Sequence, residues 1–370
     1  MYKVLELGKF FPIKGGVEKV MYDIFTGITD TRFSCDMMCA TRDTRQPFAS
    51  VVGEGALYCC PAVAEMASTM ISPSMVQELW KRCRDYDIIH VHHPDPMAAL
   101  ALRLSGYKGK VVLHWHSDIR KPGWMMQAYL PLQTWLINRA DVIVGTSPVY
   151  LASSPYLKDV QNKTICIPIG IDPIRPQREK VEAIRQKYKG RKIVFSLGRL
   201  VHYKGFRYLI NAARHLSNDY LVLIGGAGLL KEELETQIKT NHLEDKVKLI
   251  GRVADADLPA YYGACTLFCL SSIMKTEAFG IVQIEAMSCG KPVVATQIPG
   301  SGVAWVNEQG VSGVNVQPED AVQLAEGIRA VSENEEVYKA YSLGAFKRFN
   351  ELFTKGKMIN SITNTYLKLL

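Results

Sequence analysis

The sequence lacks the features that would place it outside ordinary globular proteins. No stretch reaches the ~20 consecutive apolar residues that a membrane-spanning helix needs. The longest uncharged segments, Pro122 to Asn138 and Val142 to Leu157, are broken by proline and polar residues. A continuous apolar leader is also missing: Lys3, Glu6 and Lys9 interrupt MYKVLELGKFF, so a cytoplasmic protein is expected. Nine cysteines contain no C-x-x-C pair, which excludes a zinc knuckle or dithiol motif and points to reduced structural thiols. A complete G-x-G-x-x-G is absent, as are internal repeats and low-complexity tracts.

What is present reads as two domains. The 370 residues exceed the ~100–200 typical of one domain, and 48% hydrophobic with 22% charged residues is globular usage. The net charge of +8 suits phosphorylated ligands or an anionic membrane surface and is too modest for a nucleic-acid arm, so no nucleic-acid partner is expected. Between Arg175 and Lys192 eight basic residues face two acidic ones, concentrating most of that surplus on what reads as a solvated helix face.

Short β-branched runs alternate with helical patterns throughout. In the first half they are Val4–Leu7, Ile88–Val91, Val111–Leu113, Val142–Val144 and Thr164–Ile167. In the second they are Ile193–Leu197, Leu221–Ile224, Val247–Ile250, Leu267–Leu270, Pro292–Ala295 and Gly313–Val316. Brief apolar runs without strict alternation are the pattern of parallel strands buried on both faces. The fold class is therefore α/β, with two doubly wound units. Proline and glycine in IPIGIDPIRP put the boundary near residue 173, giving domains 1–172 and 173–349.

Several segments can carry chemistry. Gly15-Gly16 follows the first strand and opens a helix, where bare amides can meet an anion, although a tight turn has the same pattern. SLGRLVHYKG places Arg199 and Lys204 just past a strand, at the edge where open α/β sheets bind ligands. The glycines of LVLIGGAGLL read as a close backbone approach to a ligand. In KTEAFGIVQIEAM, Glu277 and Glu285 stand eight residues apart, about 12 Å along a helix. Glycosidase carboxyls stand roughly 5–9.5 Å apart across one bond, so this pair fits an elongated ligand gripped at two points, with amides of Ala278, Phe279 and Gly280 between them.

Five of the eight histidines lie within His90–His116. Residues i and i+2 of a strand share a face, which permits a metal pair, yet no further ligands complete a shell and no metal is expected. His116, at a strand end, is a candidate contact for a substrate hydroxyl or reacting centre, with His90 and His114 in the core. Asp255 and Asp257 read as helix-capping residues rather than a metal-binding D-x-D. Arg120, Lys121 and Trp124 combine bases with a large apolar ring, which reads either as core packing of a helix or as a surface for lipid headgroups or a lipid-linked acceptor.

Taken together, Gly15-Gly16, HWHSD at 114–118, SLGRLVHYKG at 196–205, IGRV at 250–253 and the Glu277-x7-Glu285 segment resemble the retaining glycosyltransferases of family 4. The resemblance covers nearly the whole chain and implies the GT-B fold, two Rossmann-like domains facing across a cleft. It further implies that a final helix, about 350–370, returns to the first domain. The first domain would take the acceptor, a saccharide or lipid-linked saccharide, and the second the nucleotide-sugar donor. By the same resemblance Arg199 and Lys204 hold the diphosphate with amides near Gly16, and Glu285 holds the ribose. Arg252 and Val253 flank the base. Glu277 and the N–H groups of Phe279 and Gly280 hold the hexose, Ala278 and Ile281 belong to the donor site, and His116 lies near the anomeric carbon. No cofactor or metal is implied. The segments look most like bacterial mannosyl- or rhamnosyltransferases of surface polysaccharides, which suggests GDP-mannose. A UDP-hexose or UDP-N-acetylhexosamine donor is the alternative, as is a nucleotide-sugar hydrolase or epimerase of the same fold. Lys275-Thr276 replace the serine common before the first glutamate. Apart from the resemblance, the basic and aromatic residues Arg120, Lys121 and Trp124 suggest a peripheral contact with an anionic membrane, at the inner face of the cytoplasmic membrane.

Overall fold

The computed structural model describes residues 1–13, 15–43, 47–66, 69–119 and 123–370; the side chains of residues 123 and 124 are outside that description. Two compact units emerge, Met1–Gly170 with Lys355–Leu370, and Ile171–Thr354. The changes of unit at 170/171 and 354/355 stand beside the 172/173 and 349/350 expected from the sequence.

The first unit carries an eight-stranded sheet. In chain order its strands are β1 (Tyr2–Phe10), β2 (Phe33–Thr41), β3 (Phe48–Val52) and β4 (Gly55–Pro61), followed after a small hairpin, β5 (Ala64–Met66) and β6 (Thr69–Ile71), by β7 (Ile88–His93), β8 (Lys110–Trp115), β9 (Val142–Gly145) and β10 (Thr164–Cys166). The spatial order is β10-β9-β8-β7-β1-β2-β4-β3. All neighbours are parallel except β3 on β4. Val4, Leu5 and Leu7 are completely buried, as expected of a central strand covered on both faces.

The second unit has six parallel strands: β11 (Lys192–Leu197), β12 (Tyr220–Gly225), β13 (Val247–Gly251), β14 (Leu267–Leu270), β15 (Val293–Thr296) and β16 (Gly313–Val316). Their order is β13-β12-β11-β14-β15-β16. The chain winds outward from β11 in one direction and returns to wind from β14 in the other. That reversal opens a crevice at the carboxyl ends of β11 and β14, where sheets of this kind bind ligands. In the first unit the corresponding reversal lies between β1 and β7.

All eleven strands anticipated from the sequence form. Those between residues 33 and 71 were not anticipated, because β2 (FSCDMMCAT) and β4 (GALYCCP) are built on cysteine, methionine and alanine rather than β-branched residues. The basic segment becomes the largely exposed helix Arg178–Lys187, in which only Val181 is buried. Among the described residues no helix is long and apolar enough to cross a membrane.

Candidate active site

The crevice of the second unit gathers most of the residues singled out above. Past β11, Arg199 is exposed, with its guanidinium 3.4 Å from the Tyr203 hydroxyl. Lys204 follows in a short turn and runs past Gly198, where any side chain would press on its stem. Its ammonium donates to Glu277 Oε2 at 2.5 Å, and Ser272 Oγ donates to the same oxygen at 2.9 Å. Burial pushes the Lys204 ammonium down, but Glu277 and Tyr203 outweigh it and hold the group above the usual lysine range. Lys204 is therefore a fixed cation, and its charge is already partly balanced by Glu277.

The loop after β14 is tied down from below. Ser301 Oγ donates to the Glu277 carbonyl at 2.5 Å, Gly302 N–H to the Ala278 carbonyl at 2.8 Å, and Thr296 Oγ1 to the Ser272 carbonyl. The helix begins only at Ile281, behind Gly280 in a left-handed conformation with φ +75°. Glu277 thus lies in the loop, and the helical spacing assumed for it and Glu285 does not apply. The amides of Ala278, Phe279 and Gly280 lead into the helix N-terminus and find no acceptor among the described residues, which leaves partial positive charge there. Glu285, half-buried on the second turn, accepts a 2.5 Å hydrogen bond from Tyr262. Arg252, exposed, and Val253 follow β13 at the same edge of the sheet.

Two sequence expectations are corrected here. Gly226 and Gly228 serve their own chain: a Cβ on either would collide with backbone of Gly198 or Leu200, and Leu200 N–H donates to the Ala227 carbonyl at 2.9 Å. These glycines let two loops pack together rather than admit a ligand. Asp257 occupies the N-cap position of helix Leu258–Ala264 but makes no side-chain cap; its carboxylate pairs with Lys180 at 2.6 Å instead.

In the first unit Gly15 precedes helix Gly16–Gly27 without a side-chain cap. Around this turn lie three residues that sequence reasoning missed. Lys9 N–H donates to Asp95, and its ammonium donates to the Pro94 carbonyl. The Glu18 carboxylate folds back toward Gly15. Burial pushes the Lys9 ammonium down and the Asp95 and Glu18 carboxyls up. An acidic residue three positions into a helix beginning with glycine was the available signal, since Glu there reaches back to the cap.

The histidines form a buried network on one face of β7 and β8. Glu6, fully buried on β1, accepts from His92 Nε2 at 2.6 Å and from Tyr366 at 2.8 Å, with His90 Nδ1 3.2 Å away. Tyr366 belongs to the final helix, Lys355–Leu369. Burial raises the Glu6 carboxyl, yet the attraction of His90 and hydrogen bonds from His90 and His92 overcome this and set it at about 2. An ionised carboxylate only accepts, so His92 holds its proton on Nε2 and its Nδ1 accepts from His116 Nε2–H at 3.0 Å. Burial depresses His92 to about 4 and His93 to about 3, and takes His114 and His116 well below the ordinary range. The side chain of His116, expected to face the reacting carbon, is thus turned into the network, and the residue is only 4% exposed. Ring nitrogens of His90, His92 and His114 lie within 4.8 Å of one another, but both nitrogens of His92 are already engaged by Glu6 and His116. Asp118, just past β8, accepts from Trp115 Nε1 at 3.0 Å and Ser154 Oγ at 2.7 Å. Arg120, Lys121 and the Trp124 side chain lie outside the described residues.

Comparison with known proteins agrees with this architecture. Residues 14–175 match the family described as Glycosyltransferase Family 4, and residues 177–348 match Glycosyl transferases group 1. The chain is 30% identical over 358 residues to O-antigen chain mannosyltransferase C of Escherichia coli, covering 96% of this chain and 95% of that one. It is 28% identical over 343 residues to the D-rhamnosyltransferase WbpZ of Pseudomonas aeruginosa, covering 92% and 88%. Its fold is similar to that of Anabaena HepE, crystallised with UDP, at a TM-score of 0.79 with 22% identity and full coverage of both chains. The chain belongs to the family 4 glycosyltransferases, with two Rossmann-like domains of the GT-B class.

Proposed function

We propose that the protein transfers a hexose, with retention of configuration, from a nucleoside diphosphate donor to a saccharide or lipid-linked saccharide during synthesis of a bacterial surface polysaccharide. GDP-mannose is the proposed donor, a choice supported by similarity to the mannosyl- and rhamnosyltransferases named above. The observation that carries the reading is the convergence of Arg199, Lys204, Glu277 and the amides of 278–280 at the crevice between β11 and β14. A cation, an anion and oriented amides within a few residues suit a ligand that is anionic in its diphosphate and hydroxylated in its sugar.

In this mechanism Arg199 and Lys204 flank the diphosphate, and the amides at the helix start add partial positive charge. As the bond from the anomeric carbon to phosphate oxygen breaks, negative charge grows on the leaving group, and these fixed groups stabilise it without reorganising. The acceptor hydroxyl forms its new bond on the same face of the sugar, and its proton passes to the departing phosphate oxygen. Glu277 accepts hydrogen bonds from hexose hydroxyls, Glu285 binds the ribose, and Arg252 and Val253 border the base. Within the first unit, the amides at Gly15 and Gly16 are proposed as an anion-binding turn. No metal takes part in this scheme, so chelation by EDTA is expected to leave the rate unchanged.

Thermal-shift titration of the whole chain with GDP, UDP, TDP and ADP tests the donor. The largest stabilisation is expected with GDP. A larger response to UDP would transfer the proposal to a UDP-linked hexose or N-acetylhexosamine, and donor turnover without acceptor would favour the hydrolase alternative. Mass spectrometry of glycolipids formed with a membrane extract identifies the acceptor.

A further inference from the structure

Glu277 and Glu285 are held in chemically different ways. The first meets a lysine ammonium and a serine hydroxyl on one oxygen. The second meets the neutral phenol of Tyr262, 2.5 Å from Glu285 Oε2. Tyr262 is fully buried on helix Leu258–Ala264, its ring edge-on to Phe195 at 5.4 Å between centroids and tilted against Phe268 at 5.8 Å. That packing fixes the ring and therefore the direction of its O–H. Burial and the neighbouring carboxylate push the phenol well above its ordinary range, so it remains a donor at any working pH.

We propose that Tyr262 is a positioning residue for donor recognition: by donating to one oxygen of Glu285 it sets the orientation in which that carboxylate receives ribose hydroxyls, and so makes the site discriminate ribose from deoxyribose. The proposal rests on the reading of the second unit as the nucleotide-sugar domain with Glu285 at the ribose. A glutamate side chain has three rotatable bonds, and a hydrogen bond from a fixed phenol to one of its oxygens narrows the rotamers it samples. A hydrogen bond to an ionised acceptor is about twice as strong as a neutral one, enough to favour one orientation. A site arranged to hydrogen-bond a hydroxyl rejects the analogue lacking it, since its own polar groups are then left unpaired.

The test is calorimetric titration of the whole protein and of Tyr262→Phe with the preferred nucleoside diphosphate and its 2′-deoxy form, with donor KM and kcat measured in parallel. Phenylalanine keeps the packing against Phe195 and Phe268. Wild type is expected to prefer the ribonucleotide by ~30-fold or more, as a lost hydrogen-bonding hydroxyl implies. In Tyr262→Phe the ribonucleotide should weaken ~10-fold and the deoxynucleotide hardly at all, with KM rising while kcat stays near wild type, as for loss of uniform binding. Equal weakening of both nucleotides would show a general structural effect and overturn the proposal, as would unchanged discrimination. Should neither wild type nor Glu285→Gln distinguish the two sugars, the assignment of Glu285 to the ribose falls, and the role of Tyr262 falls with it.

Discussion

The two units place their ionisable groups differently. The first buries the Glu6 carboxylate, five histidines and the Tyr366 hydroxyl inside its layers, with Glu6, His90, His92 and Tyr366 at or near zero exposure. The second keeps its sheet interior apolar, with a core of Val194, Val222, Ile224 and Leu267, and concentrates charge at the carboxyl ends of β11 and β14. Buried groups that satisfy one another fix a fold, whereas groups at an open edge remain available to a ligand. The same sheet architecture therefore gives one unit whose polar residues chiefly serve structure and another whose polar residues suit chemistry.

The largest expected effect is on turnover in the second unit. Lys204→Ala should lower kcat/KM by ~100-fold or more, the scale of losing one fixed group that stabilises leaving-group charge, while also exposing Glu277 to the cost of a broken buried pair. Measured transfer rates check the first part, and denaturant unfolding the second. In the first unit, Glu6→Ala should destabilise by roughly 2–6 kcal/mol, because it leaves the buried donors of His92 and Tyr366 unpaired, each at about 1–3 kcal/mol. Hydrogen exchange should show the loss in β1, β7 and the final helix, with β11–β16 unchanged; equal loss in both units would erase the contrast between them.

Acid should separate the units next. The ordinary histidine value is 6.5, and His92 and His93 sit at about 4 and about 3 when folded. The unfolded chain consequently binds more protons as pH falls below 6.5, and stability declines from there down to those folded values. Glu6 acts in a lower window: its stabilisation is present above 4.5 and is lost as pH falls toward about 2. Exchange measured at pH 7 and pH 5 should therefore reveal earlier opening of the first unit, by on the order of 10-fold or more in protection. The smallest effect is expected from Lys180→Ala, which removes an exposed pair with Asp257 and should change stability by less than ~1 kcal/mol.

Much of this was legible in the sequence, for definite reasons. Buried parallel strands announce themselves as short β-branched runs, which is why β1, β7 and all six strands of the second unit were anticipated. Arg199, Lys204, Glu277 and Glu285 could be placed because strand ends and helix starts position them locally. What escaped depends on contacts distant in the chain. The Glu6–Tyr366 bond joins residues 360 positions apart, and nothing near Glu6 signals it. His116 was aimed at a ligand because its partner, His92, comes from a neighbouring strand. Asp257 seemed a cap because Lys180, which draws it away, is 77 residues earlier.

The central claim is that the edge between β11 and β14 binds a sugar nucleotide through its diphosphate. Arg199 tests it most cleanly, because that side chain is exposed and forms no ion pair among the described residues, so its removal should cost the fold little. Calorimetric titration of wild type and Arg199→Ala with GDP-mannose, at matched thermal stability, is expected to show saturable binding that weakens by ~10-fold or more in the variant, as for loss of a charge-assisted contact to phosphate. Equal affinity in the two proteins would contradict the account.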